Sequence, residues 1–193
     1  MRCLVLHGKN SSPEKIKWLT DPISKFAEVE SPFVDMEVSE IVEKFRHENY
    51  ECFAGHSRGG TAALILGSIR PSVVIAVSSP TDRKLQLDHL SKFPDDTPQS
   101  SLYKDLSKVR DLDSSSPINY VEGLKNSSIL LIYGDSDQIV PRRHGEVLCE
   151  KLANCRLEIV KGMKHSPMGQ QIGQINRIIS EFLKYYVNSR RIT

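Results

Sequence analysis

The sequence predicts an α/β fold in three layers, with helices on both faces of a mainly parallel sheet of about six strands. Three observations carry this. Short apolar runs alternate with longer amphipathic ones along the chain. The short runs are apolar throughout rather than on every second residue, as strands buried on both faces must be. A length of 193 residues, 39% of them hydrophobic, suits one domain with a core of its own.

The elements follow in order. Cys3 to Leu6 is unbroken apolar sequence within a strand expected over 2–7, and Gly8 turns the chain. Ser12 and Pro13 are residue types that open helices, and Ile16, Leu19, Ile23 and Phe26 then recur at helical spacing. A weaker strand is expected over 27–32, a short helix through Val38, Ile41, Val42 and Phe45, and a third strand over 51–55. The segment 61–69 is a helix of mostly small residues, suited to close packing on a sheet, and 72–78 is the central strand. Further strands fall over 128–133 and 156–160, with a helix over 141–152 between them. A closing helix over 173–187 carries Ile175, Ile178, Ile179, Phe182 and Leu183 on one side. The stretch 81–117 is different: polar, with Pro94, Pro98 and three consecutive serines, and with Leu102, Leu106 and Val109 on one helical face. It is expected to form one or two short helices within a single domain spanning 1–193. A solvated connection is the bland reading; a small lid over a pocket is preferred.

Composition excludes several classes of function. Lys and Arg number 26 against 24 Asp and Glu, and they are dispersed, so there is no basic field for nucleic acid. No apolar run approaches the roughly 18 residues of a membrane span. The apolar stretch at the N-terminus is too short for a signal peptide, which points to a cytoplasmic protein. The four cysteines form no Cys-x-x-Cys pair and read as four buried or half-buried thiols. A Cys3–Cys52 bridge is conceivable if their strands are neighbours, but is unusual outside an oxidising compartment. The sequons at Asn10 and Asn126 are read as chance. Oligomeric state leaves no mark on the sequence.

The chemistry concentrates in four loops. Ala54-Gly55-His56-Ser57-Arg58-Gly59-Gly60 stands between a strand and a helix and contains Gly-x-Ser-x-Gly, the pattern of a nucleophile elbow. In such a turn, side chains two before and two after the serine would collide, so Gly55 and Gly59 are needed. The turn exposes the Ser57 hydroxyl and brings the N–H of Arg58 to the same place. A serine needs a base, and the base an orienting acid. Tyr133 to Pro141 follows a strand and offers Asp135 and Asp137; Lys161 to Pro167 follows the last strand and offers His165. Each then lies at the carboxyl end of a different parallel strand, where open α/β sheets place their sites. Singly they have plainer readings: Asp137 as a helix cap, His165 as a surface histidine, Gly55 to Gly60 as a phosphate-cradling turn. The turn Leu6-His7-Gly8-Lys9-Asn10 supplies a second oxyanion donor, with the N–H of Lys9 the first choice and Asn10 the second.

Leu-His-Gly, Gly-His-Ser-Arg-Gly-Gly, Gly-Asp-Ser-Asp-x-x-Val-Pro and the late Gly-x-x-His together resemble the α/β-hydrolase superfamily, over nearly the whole chain. The resemblance implies Ser57 as nucleophile, Asp137 rather than Asp135 as acid, and His165 as base. His7 to Pro13 is also similar to the loop of small esterases without a large cap. Ser116 to Val121 looks like a segment of prolyl-oligopeptidase-type hydrolase domains, whose propeller this chain lacks. Members usually begin with two strands ahead of the one ending in His-Gly, hence the expectation of about six strands. The implied activity is hydrolysis of a small-molecule carboxylic ester, with no metal or organic cofactor. A thioesterase or a peptidase would use the same residues, and a non-catalytic binding protein would keep only the fold. With no room for a cap domain, an open site and small or exposed substrates are expected, and the near-neutral charge gives no reason to expect strongly charged ones.

Overall fold

The computed structural model describes residues 1–189. Among them, six strands form one parallel sheet: β1 (Arg2–Leu6), β2 (Glu28–Glu30), β3 (Cys52–His56), β4 (Val73–Val77), β5 (Ser128–Gly134) and β6 (Cys155–Val160), in the order β2-β1-β3-β4-β5-β6. The expected α/β class and six-stranded sheet are both observed. The chain leaves β1 on one side for β2 and returns past it for β3. The carboxyl ends of β1 and β3 therefore flank the point where strand order reverses, and a crevice opens there.

The unbroken apolar strands supply two cores, one on each face. Leu4, Leu6, Phe53, Val74, Ala76, Leu131 and Tyr133 point to one side, and Val5, Ala54, Ile75, Val77, Leu130 and Ile132 to the other. The first core is covered by α2 (Val38–Phe45) and α3 (Arg58–Ile69), the second by α1 (Lys17–Ser24) and α8 (Gln170–Ser189). A 3-10 turn, Pro13–Ile16, precedes α1, and Ile16, Leu19 and Ile23 are buried as their spacing predicts. Helix α3 starts at Arg58, three residues before the expected start, and is buried from Arg58 through Gly67. The edge strand β2 is short and carries Glu28 and Glu30 outward, which discourages edge-to-edge pairing.

The 81–117 stretch folds into α4 (Arg83–Leu90), capped by the Asp82 side chain, and α5 (Pro98–Leu106), capped by that of Thr97. Helices α6 (Val121–Leu124) and α7 (Arg143–Cys149) complete the chain order. Among the described residues no helix is long and apolar enough to cross a membrane.

The cysteines correct an expectation. They are not thiols: Cys3 is bonded to Cys52 and Cys149 to Cys155. Parallel pairing of β1 with β3 sets Cys3 directly opposite Cys52, Cα to Cα 4.3 Å, and both are buried. Cys149 ends α7 and Cys155 opens β6, 5.3 Å apart between Cα atoms. Compartment and motif spacing argued for thiols; strand register decides for bridges.

Candidate active site

The elbow is built from sterics. Ser57 sits between β3 and α3 with φ 54° and ψ −122°, a conformation that L-residues avoid at a cost of order 1–3 kcal/mol. The turn is held by Ser57 N–H donating to the Val77 carbonyl (2.9 Å) and Thr61 N–H donating to that of Ser57 (3.0 Å). A Cβ on Gly55 would run into the backbone of Gly59, and one on Gly59 into the carbonyl of Leu6. Both glycines are therefore required by close approach.

Three loops converge on the serine. His165, in the loop after β6, places Nε2 3.0 Å from Ser57 Oγ and Nδ1 2.9 Å from Asp137 Oδ2. The Asp137 side chain is fully buried, and its Oδ1 accepts from the N–H groups of Ile139 and Val140 (2.8 and 3.0 Å). Asp137 thus caps the following turn and faces His165 at once. Asp135 lies outside the cluster: exposed, it accepts from Gly162 N–H and the Ser136 hydroxyl, which hold its carboxyl below the usual range. The loops of Asp137 and His165 are stitched together where Ser136 N–H donates to the Met163 carbonyl (3.1 Å).

The turn after β1 passes over the serine. A Cβ on Gly8 would stand 3.2 Å from Ser57 Cβ. His7 is buried; its Nδ1–H donates to the Gly8 carbonyl (2.8 Å), and its Nε2 accepts the Val34 N–H (2.9 Å). These two bonds require the Nδ1–H tautomer and anchor the turn to the segment before α2. Arg58 is the first residue of α3, where an N–H has no intrahelical acceptor. Lys9 borders the cleft beside Ser57 and reaches across to α5, its Nζ 3.5 Å from Asp105. Asn10 is exposed with φ 56° and does not border that cleft.

Two groups near the serine were given no role by the sequence reading. His56 is buried, and its Nε2 donates to the main-chain carbonyl of His165 (2.7 Å). Burial, then the neighbouring His165, lowers the His56 pKa to about 4, so the ring is neutral at pH 7. Arg83 borders the cleft from α4; nothing in its local pattern separates it from other lysines and arginines. The cleft encloses about 100 Å³ and has an apolar wall of Leu102, Leu106, Val109 and Ile139. Leu102 and Leu106 come from α5, and Val109 from just beyond it. Among the described residues no group of three or more His, Cys, Asp or Glu side chains is placed to hold a metal.

The fold has parallels among solved structures. The chain superposes on Est1E from Butyrivibrio proteoclasticus with a TM-score of 0.70 at 15% identity, covering 97% of this chain and 88% of that one. The chain has the α/β-hydrolase fold. An α/β-hydrolase enzyme from a lagoon-sediment metagenome (Mar Chica, Morocco) gives 0.70 at 16% identity, covering 96% and 91%. A putative lipase from Acinetobacter baumannii gives 0.69 at 16% identity, covering 100% and 85%. No protein-family model and no curated protein sequence matches the chain. Identities this low carry the hydrolase fold and not the reaction.

Proposed function

We propose that the protein is a carboxylesterase-like serine hydrolase acting through an acyl-enzyme on Ser57. One observation carries this reading: a single imidazole, His165, bridges the Ser57 hydroxyl and a buried carboxylate through its two ring nitrogens. The Ser57 proton passes to Nε2 as Oγ attacks the ester carbonyl. Asp137 holds Nδ1–H and stabilises the imidazolium. The N–H groups of Arg58 and Lys9 donate to the oxyanion, each worth about 10²–10³ in turnover. His165 then returns the proton to the departing alkoxide. Water attacks the acyl-enzyme with His165 as base, leaving the acid and free Ser57. The esterase and lipase structures of the same fold support ester chemistry over other uses of this geometry. The stretch 81–117 serves as the lid, with α5 as the wall facing the serine.

The test is to treat the wild type and Ser57→Ala with a fluorophosphonate probe and with short p-nitrophenyl esters. Labelling and turnover by the wild type, both lost in Ser57→Ala, are expected. A wild type that neither labels nor hydrolyses any ester sinks the proposal.

A further inference from the structure

The cleft beside Ser57 is bordered by two guanidiniums as well as by its apolar wall. Arg58 is 7% exposed and Arg83 9%. Arg58 donates one N–H to the Val34 carbonyl (2.9 Å) and Arg83 one to Gln86 Oε1 (2.8 Å). The Nε of each is buried without any hydrogen-bond partner. Glu37 also borders the cleft and acts on both arginines, but from beyond ion-pair distance. Lys9, the remaining cation there, is paired with Asp105.

Two buried cations with no anion at ion-pair distance are costly, because each has lost its water and gains only the longer-range attraction of Glu37 and, for Arg58, of Asp35. Their like charges compound the cost: burial first, and Arg58 beside it, bring the Arg83 pKa down to about 10. An arriving anion offsets both effects. The guanidinium edge presents parallel N–H groups that match the two oxygens of a carboxylate. The apolar residues of the same cleft suit a short methylene chain between that carboxylate and the serine.

We propose that Arg58 and Arg83 form a carboxylate-binding subsite, and that the substrate is an ester bearing a carboxylate a few carbons from its scissile carbonyl. The proposal rests on the esterase reading and names the substrate class of that same site. The total charge gives no hint of it, because a net charge of +2 averages away two cations placed at one cleft. The carboxylate belongs to the acyl chain or to the alcohol, and the two sources are separable.

The test uses the whole protein at pH 8. Mono-4-nitrophenyl adipate and its methyl ester compare the acyl side; 4-acetoxybenzoate and its methyl ester compare the alcohol side. In one of the two pairs the free acid should have the higher kcat/KM, by about tenfold to a hundredfold, as a charged hydrogen-bonded pair supplies. That ratio should shrink toward one in Arg83→Met and recover in part in Arg83→Lys. Neutral esters cleaved as well as the acids in both pairs overturn the subsite while leaving the esterase standing. If no ester is cleaved, the esterase reading fails alone, and binding decides the subsite. Monomethyl adipate should bind Ser57→Ala at least tenfold more tightly than dimethyl adipate does, measured by ligand-observed NMR. Equal binding overturns the proposal.

Discussion

His56 donates from Nε2 to the main-chain carbonyl of His165 at 2.7 Å, so the residue preceding Ser57 holds the loop that brings His165 to it. The rings also lie 5.0 Å apart between centroids, and Trp18 meets His56 edge-on from the other side. The strand that delivers the serine therefore fixes the loop of its partner. His56→Ala removes the bond without touching Ser57, Asp137 or His165. We expect kcat on p-nitrophenyl acetate to fall about 5–30-fold with KM little changed, the equivalent of about 1–2 kcal/mol of positioning. Fluorophosphonate labelling should slow in parallel. A variant labelled at the wild-type rate would falsify the positioning role.

The two carboxylates of the loop after β5 should separate cleanly. Asp137→Asn keeps the shape but removes the charge that faces His165 and favours the wrong tautomer; kcat should drop about 10³–10⁴-fold. Asp135→Asn only weakens a loop contact to Gly162 and Ser136, and activity should stay within about tenfold of wild type, since a net hydrogen bond is worth about 1 kcal/mol. Steady-state kinetics on one ester ranks them, and the reverse order overturns the choice of Asp137.

The strands were readable because burial on both faces leaves little room for polar residues within β1, β3, β4 and β5. The start of α3 was not. Gly59-Gly60 has poor helix propensity, yet both residues are helical; they are glycines because a Cβ at Gly59 would meet Leu6 and one at Gly60 would meet Ser79. Gly-x-Ser-x-Gly announced the elbow, since its glycines answer to local backbone crowding. His56 and Arg83 had no such local signature. Their surroundings come from the loop after β6 and from the packing of α4 against the cleft, and those contacts exist only in three dimensions. The Cys3–Cys52 bridge was conceivable but not preferred for a related reason, since a pairing set by register between β1 and β3 has no fixed spacing in sequence.

Stability should depend on two buried histidines. Burial lowers His56 to about 4 and His144 to about 3, with His165 and Arg83 respectively the next cause. Unfolded, both return to about 6.5. The folded value lies below the unfolded one, so between them the unfolded chain binds more protons. Stability is then full above about pH 6.5, falls as pH drops, and levels at about 4 for His56 and about 3 for His144. Each contributes a slope of at most about 1.4 kcal/mol per pH unit. Urea unfolding at pH 7, 5.5 and 4.5 should show this loss, and His144→Gln should remove a substantial part of it. An unaltered slope in that variant means the acid sensitivity arises elsewhere.

The two disulfides should differ in what they contribute. Cys3–Cys52 spans 49 residues of chain and Cys149–Cys155 only 6. If each acts by restricting the unfolded chain, the longer loop stabilises by about 4 kcal/mol and the shorter by about 2. Cys52→Ala also leaves a small cavity between β1 and β3, which widens the gap. Yet Cys3 and Cys52 pair near the amino ends of their strands, whereas Ser57 and the Lys9 turn lie beyond the carboxyl ends. Losing the bond should therefore lower the urea midpoint without moving the reacting groups. We expect Cys52→Ala to unfold at markedly lower urea than Cys155→Ala, with ester kcat/KM at 25 °C within about twofold of wild type for both. Intact mass before and after reduction confirms which bonds are present. Equal midpoints for the two variants would place the stabilisation in native contacts rather than in the length of the closed loop.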